Sequence, residues 1–442
     1  MAAGAGALLF AVAAVAGTLI EHYDGTLHVN WPPLLAQWMP HIGPGTLPAL
    51  LTAVAVIAYG PSLAARLSWR GLIWASWAAA LAWTWSLALV DGWQRGVAGR
   101  LTTPHEYLSG VDRFDDIPAT LRDFTRHILI GPPDNWPTHI AGHPPGAVLT
   151  FVGLDRIGLD GGGWAGAFCV ITGASTAAAV LVTLRALGAG SAARAAAPFL
   201  VLAPGAVWVG ASADGYFAAV AAWALALLAL AATRTVRAPR AVALASGLLF
   251  GVTVHLSYGL TLLVVPAVAV LVLARRARPL PLAGCAVLGF AAVAVAFLLA
   301  GFRWWEAYGL LVERYYQGVA RERPYGYWVW ANGAGVVIAA GLAAVAGIRR
   351  LPAAVRGAAV RGARGVRSPG RTVALLMAAV LLALLVADLS GMSKAETERI
   401  WLPFTLWLPA AAALLPARDH RGWLAAQAGL ALLVNHLLLT VW

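Results

Sequence analysis

The sequence predicts an all-α polytopic membrane protein of about thirteen transmembrane helices, with one long outer loop that carries an interfacial helix. Three observations predict it. The chain is 60% hydrophobic and 11% charged, whereas soluble domains carry about 25% charged residues. Apolar runs recur along it at the length of about 20 residues that a span requires. Its basic residues gather in the short segments between alternate runs, as topology-setting charges do.

On that length rule the spans fall near 4–20, 47–67, 71–90, 162–186, 195–211, 214–233, 240–256, 259–275, 281–302, 328–348, 372–390, 400–416 and 422–441. With the N-terminus cytoplasmic, nineteen of the 31 basic residues lie in cytoplasmic loops, most densely as Arg349, Arg350, Arg356, Arg361, Arg364, Arg367 and Arg371. Of the 19 acidic residues only Asp419 lies with them. The outer segments are then 21–46, 91–161, 303–327 and 391–399. Residues 144–158 are apolar but too short to span, and forcing them across would invert every later loop against the arginine pattern. They are therefore expected to lie in the outer interface.

Four regions follow. Residues 1–70 form an N-terminal helix pair whose outer loop holds Glu21, Asp24, His28 and Trp31-Pro32-Pro33; residues 71–348 form a transmembrane core that includes the outer loop 91–161. Residues 349–371 are a basic cytoplasmic loop, and 372–442 the C-terminal helices. The first twenty residues lack a charged leading segment and read as a retained helix.

Composition also excludes. A net charge of +12 would suggest nucleic acid in a soluble protein, but arginines that set topology imply a lipid bilayer as partner and no nucleic acid. Cys169 and Cys285 have no disulfide or metal-ligand spacing. The spacing of His139 and His143 suits two ligands on a helix, yet Gly142 and Pro144 argue against a helix, so neither a metal nor a cofactor is expected. No internal repeat of the transporter type is evident.

The preponderance of acids outside points to chemistry there. The long loop opens at Asp91 and continues through His105-Glu106-Tyr107, Asp112, Asp115, Asp116, His139 and His143-Pro144-Pro145-Gly146. Carboxylates and imidazoles beside an interfacial helix are the parts for proton transfer near a lipid-borne group. Pro145 forbids helix before it and so pins His143 at the start of that helix. His139 and His143 read equally as ligands of a phosphate or sugar and as structural caps. Late in the chain, Arg399 stands at the first turn of an apolar run, where a guanidinium grips phosphate well. Glu398 beside it would orient or partly neutralise it, and Asp388 is a further partner. Arg303, Arg314, Arg321 and Arg323 add other phosphate candidates.

The run from Glu106-Tyr107-Leu108 through His139 and His143-Pro144-Pro145-Gly146, with Glu398-Arg399-Ile400-Trp401-Leu402-Pro403-Phe404, resembles the GT-C glycosyltransferases. These are the polyprenyl-phosphate-sugar enzymes related to protein O-mannosyltransferases and the lipid A aminoarabinose transferases. It is more closely similar to a group of actinobacterial integral membrane proteins usually placed with that superfamily. The resemblance implies a GT-C-like fold in a bacterial plasma membrane. It implies an inverting transfer of a sugar from a polyprenyl-phosphate donor to an acceptor on the extracytoplasmic face. The family's own sugar and acceptor do not carry over, which leaves mannose or another hexose or pentose as the sugar and a glycan, lipid or protein as acceptor. The lack of a tight Asp-Xaa-Asp motif in the long loop predicts metal independence. A carboxylate of the first large outer loop would be the base, with Asp91 and Glu106 the matching positions and Tyr107 in support. Arg399, His143 and His139 would hold the departing phosphate. In those relatives the acidic loop follows the first span, and here the third, so Asp24 in the first outer loop is a further alternative. The competing class is a transporter or flippase of a lipid-linked substrate, which would use His255, Asp214 and His436.

Overall fold

The computed structural model describes residues 1–131, 133–277, 279–360 and 368–440; Arg278, Arg361, Arg364 and Arg367 of the basic loops lie outside them. Among the described residues eight helices are long and apolar enough to cross a membrane. They are Ala2–Asp24, Thr46–Arg66, Trp69–Asp91, Gly161–Ala186, Ala213–Ala232, Pro239–Leu256, Leu280–Leu299 and Pro369–Leu389. A ninth arises if Tyr325–Ala340 and Leu342–Ile348, bent by 111° about Gly341, count together. Gly341 has φ +90°, a backbone that a side chain would strain, and that permits the bend. The protein is a multi-pass helical membrane protein.

Thirteen spans were expected, and the difference has a local cause. The runs near 195–211 and 400–416 contain Pro204, Pro403 and Pro409, which remove backbone donors and break helices. In their place stand Gly190–Val201, Ala206–Val209, Leu402–Thr405 and Leu408–Leu414. The run near 259–275 starts as a 3-10 turn, Tyr258–Leu263, before Val264–Ala274. Trp208, Phe404 and Leu408 are buried, so much of this apolarity faces protein rather than lipid. The last run is helical only over His420–Leu437, then extends as Leu438–Thr440 and pairs antiparallel with Ala36–Trp38.

The segment expected in the interface forms Gly146–Arg156, eleven residues, too short to span. It buries Ala147, Val148, Phe151 and Val152. Gly146 is required at its start: a Cβ there would stand 2.4 Å from the carbonyl oxygen of His255.

The four segments expected outside meet one another. Arg323 donates to the carbonyls of Leu27 and Lys394, Gln317 hydrogen-bonds both ways with Ile130, and the Leu35 amide donates to Glu398. The arginine-bearing turns gather separately, with Arg194 donating to Ala64 and Leu67 and Arg185 stacked on Trp69.

Candidate functional site

Glu106 is the best-placed acid of the long loop. A turn closed by its own amide on the Thr103 carbonyl sets it ahead of the 3-10 segment Tyr107–Phe114. The short helix Thr138–Gly142, entered from Pro137, is tied back by the His139 amide on the His105 carbonyl. That brings His139 Nδ1 to 2.8 Å from Glu106 Oε1. Both side chains are buried, and Oε2 of Glu106 has no hydrogen-bond partner among the described residues. Burial pushes the Glu106 pKa up, but His139 and then Arg399 outweigh it and hold the carboxyl below its ordinary value. It is ionised at neutral pH.

Helix ends before Pro144, leaving His143 extended (φ −132°) with Nδ1 2.8 Å from the His139 carbonyl oxygen. A carbonyl only accepts, so Nδ1 carries the hydrogen. Burial, then the neighbouring His139, push the His143 pKa down to about 3. The ring is neutral, and its Nε2 is an acceptor. A neutral ring brings no positive charge to the phosphate that the resemblance has His143 help hold. Tyr107 packs among His139, His143, Phe151 and Phe217 with ring centroids 5.4–6.4 Å away. Burial, then Asp214 and Glu106, keep its hydroxyl protonated well above its ordinary pKa.

The second half of the site comes from the turn before Arg399. Ala395 and Glu396 take positive φ, 76° and 62°. Such conformations cost of order 1–3 kcal/mol each and persist where the surroundings impose them. The turn aims Glu396 and Arg399 the same way, as residues three apart on a helical turn. Arg399 Nη1 lies 2.6 Å from Asp214 Oδ2, and Nη2 lies 3.3 Å from Glu396 Oε2. Asp214 stands in the first turn of Ala213–Ala232, where Ser212 caps the helix. Against burial, Asp214, Glu396 and Glu106 raise the Arg399 pKa further and lock its charge.

Two expected partners of Arg399 have other contacts. Glu398 turns away from the guanidinium: Oε1 accepts from the Leu35 amide at 3.1 Å, and burial pushes its pKa up to about 7. Asp388 accepts from Asn332 at 2.8 Å. Of the third-loop arginines, Arg323 donates to backbone carbonyls and also stands 3.6 Å from Glu396, Arg303 pairs with Glu306 at 3.7 Å, and Arg314 reaches the Trp136 carbonyl at 3.5 Å.

Asp91 belongs to a different cluster. His41 Nε2 lies 2.9 Å from Oδ1, Arg100 Nη2 3.2 Å from Oδ2, and Arg95 Nε 3.6 Å away. Arg100 also donates to the Thr440 carbonyl, so Asp91 helps join the long loop to the last strand. His436, named for the transporter reading, lies in the same corner and contacts Thr46 Oγ1 at 3.0 Å. Among the described residues no three His, Cys, Asp or Glu side chains are grouped to hold a metal ion.

Glu106, His139, His143, Tyr107 and Arg399 were all singled out from sequence, and they come together here with Asp214. Asp214 was read only as a transporter residue, and Glu396 only as one member of the charged loop ahead of Arg399. The signal for Asp214 was a lone carboxylate at the expected outer end of an apolar run. No protein-family model matches the chain, and no curated protein is similar to it.

Proposed function

We propose that the protein is a GT-C-like glycosyltransferase of the bacterial plasma membrane that moves a sugar from a polyprenyl-phosphate donor to an acceptor hydroxyl on the extracytoplasmic face. The observation that supports it is the buried, ionised Glu106, paired with His139 and lying within the field of the fixed charge of Arg399. A base within the field of a permanent cation meets the two demands of the reaction.

In this reading the acceptor O–H gives its proton to Glu106 Oε2, and the oxygen attacks the anomeric carbon. The bond from that carbon to the phosphate oxygen breaks, and polyprenyl phosphate leaves with the electron pair. Arg399 stabilises the departing charge, with the phosphate taking over a donor now held by Asp214 or Glu396. His143 Nε2 accepts from a sugar or acceptor hydroxyl, and Asp91 is structural.

The test is transfer of radiolabelled sugar from polyprenyl-phosphate mannose, or another such donor, by membranes containing the protein. Transfer that survives in Glu106→Gln at the wild-type rate removes Glu106 as base. Asp112, exposed in the long loop, reports the side of the membrane: in a cysteine-free background Asp112→Cys should label from outside, and protection there overturns the orientation.

One observation favours a transporter of a lipid-linked substrate. Arg399 is already neutralised by Asp214 at the start of an apolar helix, an arrangement that suits a gated ion pair. Proteoliposomes that accumulate the lipid-linked sugar without transferring it would decide for that reading.

A further inference from the structure

Away from the Glu106 centre, the long loop holds a cleft of about 550 Å³ lined by Arg113, Thr120, Arg122, Asp123, Arg126, His127 and Trp136. Its floor is rigid. Trp136 is 1% exposed, donates from Nε1 to the Phe124 carbonyl at 2.9 Å, and stacks on Phe114 with ring centroids 5.6 Å apart. The Arg113 guanidinium lies 3.6 Å over the Trp136 ring.

Arg113 lies on this floor, and Arg122 and Arg126 line the cleft around it. Asp123 is shared between Arg126 at 2.7 Å and His127 at 3.1 Å, and Asp134 meets the other His127 nitrogen at 3.1 Å. Among the described residues Arg113 and Arg122 make no salt bridge; Asp134 acts on Arg113 through space, and the Arg122 side chain is exposed, with its stem against Gly301. Like charges gathered with too few carboxylates to neutralise them repel, unless an anion completes the set. Planar guanidiniums, one already oriented by stacking, match the two-oxygen face of a phosphate or carboxylate. The cleft also adjoins the reacting groups in the chain, because Trp136-Pro137-Thr138 leads directly to His139.

We propose that this cleft is a subsite for an oxyanion, a phosphate or carboxylate carried by the acceptor. The inference deepens the transferase reading and rests on it for the identity of the ligand as acceptor. The oxyanion comes from a water-borne glycan or from a lipid headgroup, and Arg122 and Arg126 close over it while Arg113 and Trp136 form the back wall.

The experiment is equilibrium binding to the full-length protein in phosphatidylcholine nanodiscs, with glucose 6-phosphate as probe and glucose as neutral control. Glucose 6-phosphate should bind about tenfold or more tighter than glucose, and more weakly as salt rises from about 50 to about 500 mM. Arg122→Gln with Arg126→Gln, two exposed positions, should remove about tenfold of that affinity. Asp123→Asn should strengthen it. Equal binding of the two sugars, or unchanged affinity in the double variant, overturns the proposal. Repeating the titration with phosphatidylglycerol in the discs separates the sources: displacement of glucose 6-phosphate assigns the oxyanion to a lipid headgroup, retention to a water-borne acceptor. Binding is read without turnover, so its failure and a failure of sugar transfer are separate results.

Discussion

Asp91 and Glu106 stand in the same loop, and each satisfied the sequence requirements for a catalytic base. Burial does not separate them, for their side chains are 9% and 6% exposed. Partners do. Asp91 is surrounded by His41, Arg95 and Arg100, and through Arg100 it is fastened to the end of the chain. Glu106 has His139 on one oxygen and no partner on the other among the described residues, with Arg399 acting on it through space. A carboxylate already held by two guanidiniums and an imidazole is a fastener. One left with a bare oxygen beside a fixed charge can accept a proton.

The sharpest way to break this contrast is to remove each acid in turn. Glu106→Gln should lower sugar transfer by about 10²–10⁴-fold, the usual worth of a general base, and Asp91→Asn by far less. Equal losses would dissolve the distinction. Because Glu106 is held below its ordinary value of 4.5, the pH at which wild-type transfer falls to half its neutral rate should lie below that value.

Next in size is the ion pair that Glu106 senses. Arg399→Ala leaves Asp214 buried and unpaired, while Glu396 keeps Arg323 at 3.6 Å, so thermal or denaturant unfolding should show a loss of about 3–5 kcal/mol together with weaker donor binding. Arg399→Leu combined with Asp214→Leu should recover much of the stability and none of the transfer. Recovery of transfer would show that the pair is only structural.

Glu398 gives a pH signature of stability rather than rate. Its carboxyl is pushed from 4.5 up to about 7 by burial, so the folded state holds a proton that the unfolded state has released between those values. Stability should be full below about pH 4.5, fall by up to about 3 kcal/mol as pH climbs to about 7, and level off above. Unfolding midpoints measured across that range should lose this slope in Glu398→Gln. The smallest effect expected is on the Asp91 side, where Asp91→Asn leaves Arg100 short of its carboxylate and costs about 1–3 kcal/mol in the same measurement.

Much of the candidate site was legible because it is local. Glu106 precedes Tyr107 in one turn, and Pro144 and Pro145 set His143 at the start of a helix, so neighbouring residues dictated both placements. The role of Asp91 was not legible, since its partner His41 comes from the first loop and the carbonyl that anchors Arg100 from Thr440. The partner of Arg399 was misread for a similar reason. Glu398 is adjacent in sequence and so points elsewhere on the turn, whereas Asp214 lies 185 residues away.

By itself the sequence determined that this is a helical, multi-pass membrane protein with its acids and imidazoles in a few loops. Hydropathy and loop charge are sums over neighbouring residues and need no fold to be read. Only the tertiary structure decided how many apolar runs are long helices, since prolines divide several into short buried pieces. It alone decided which carboxylate is fastened and which is left with an open oxygen, because ion pairing depends on distances between segments that no local pattern encodes.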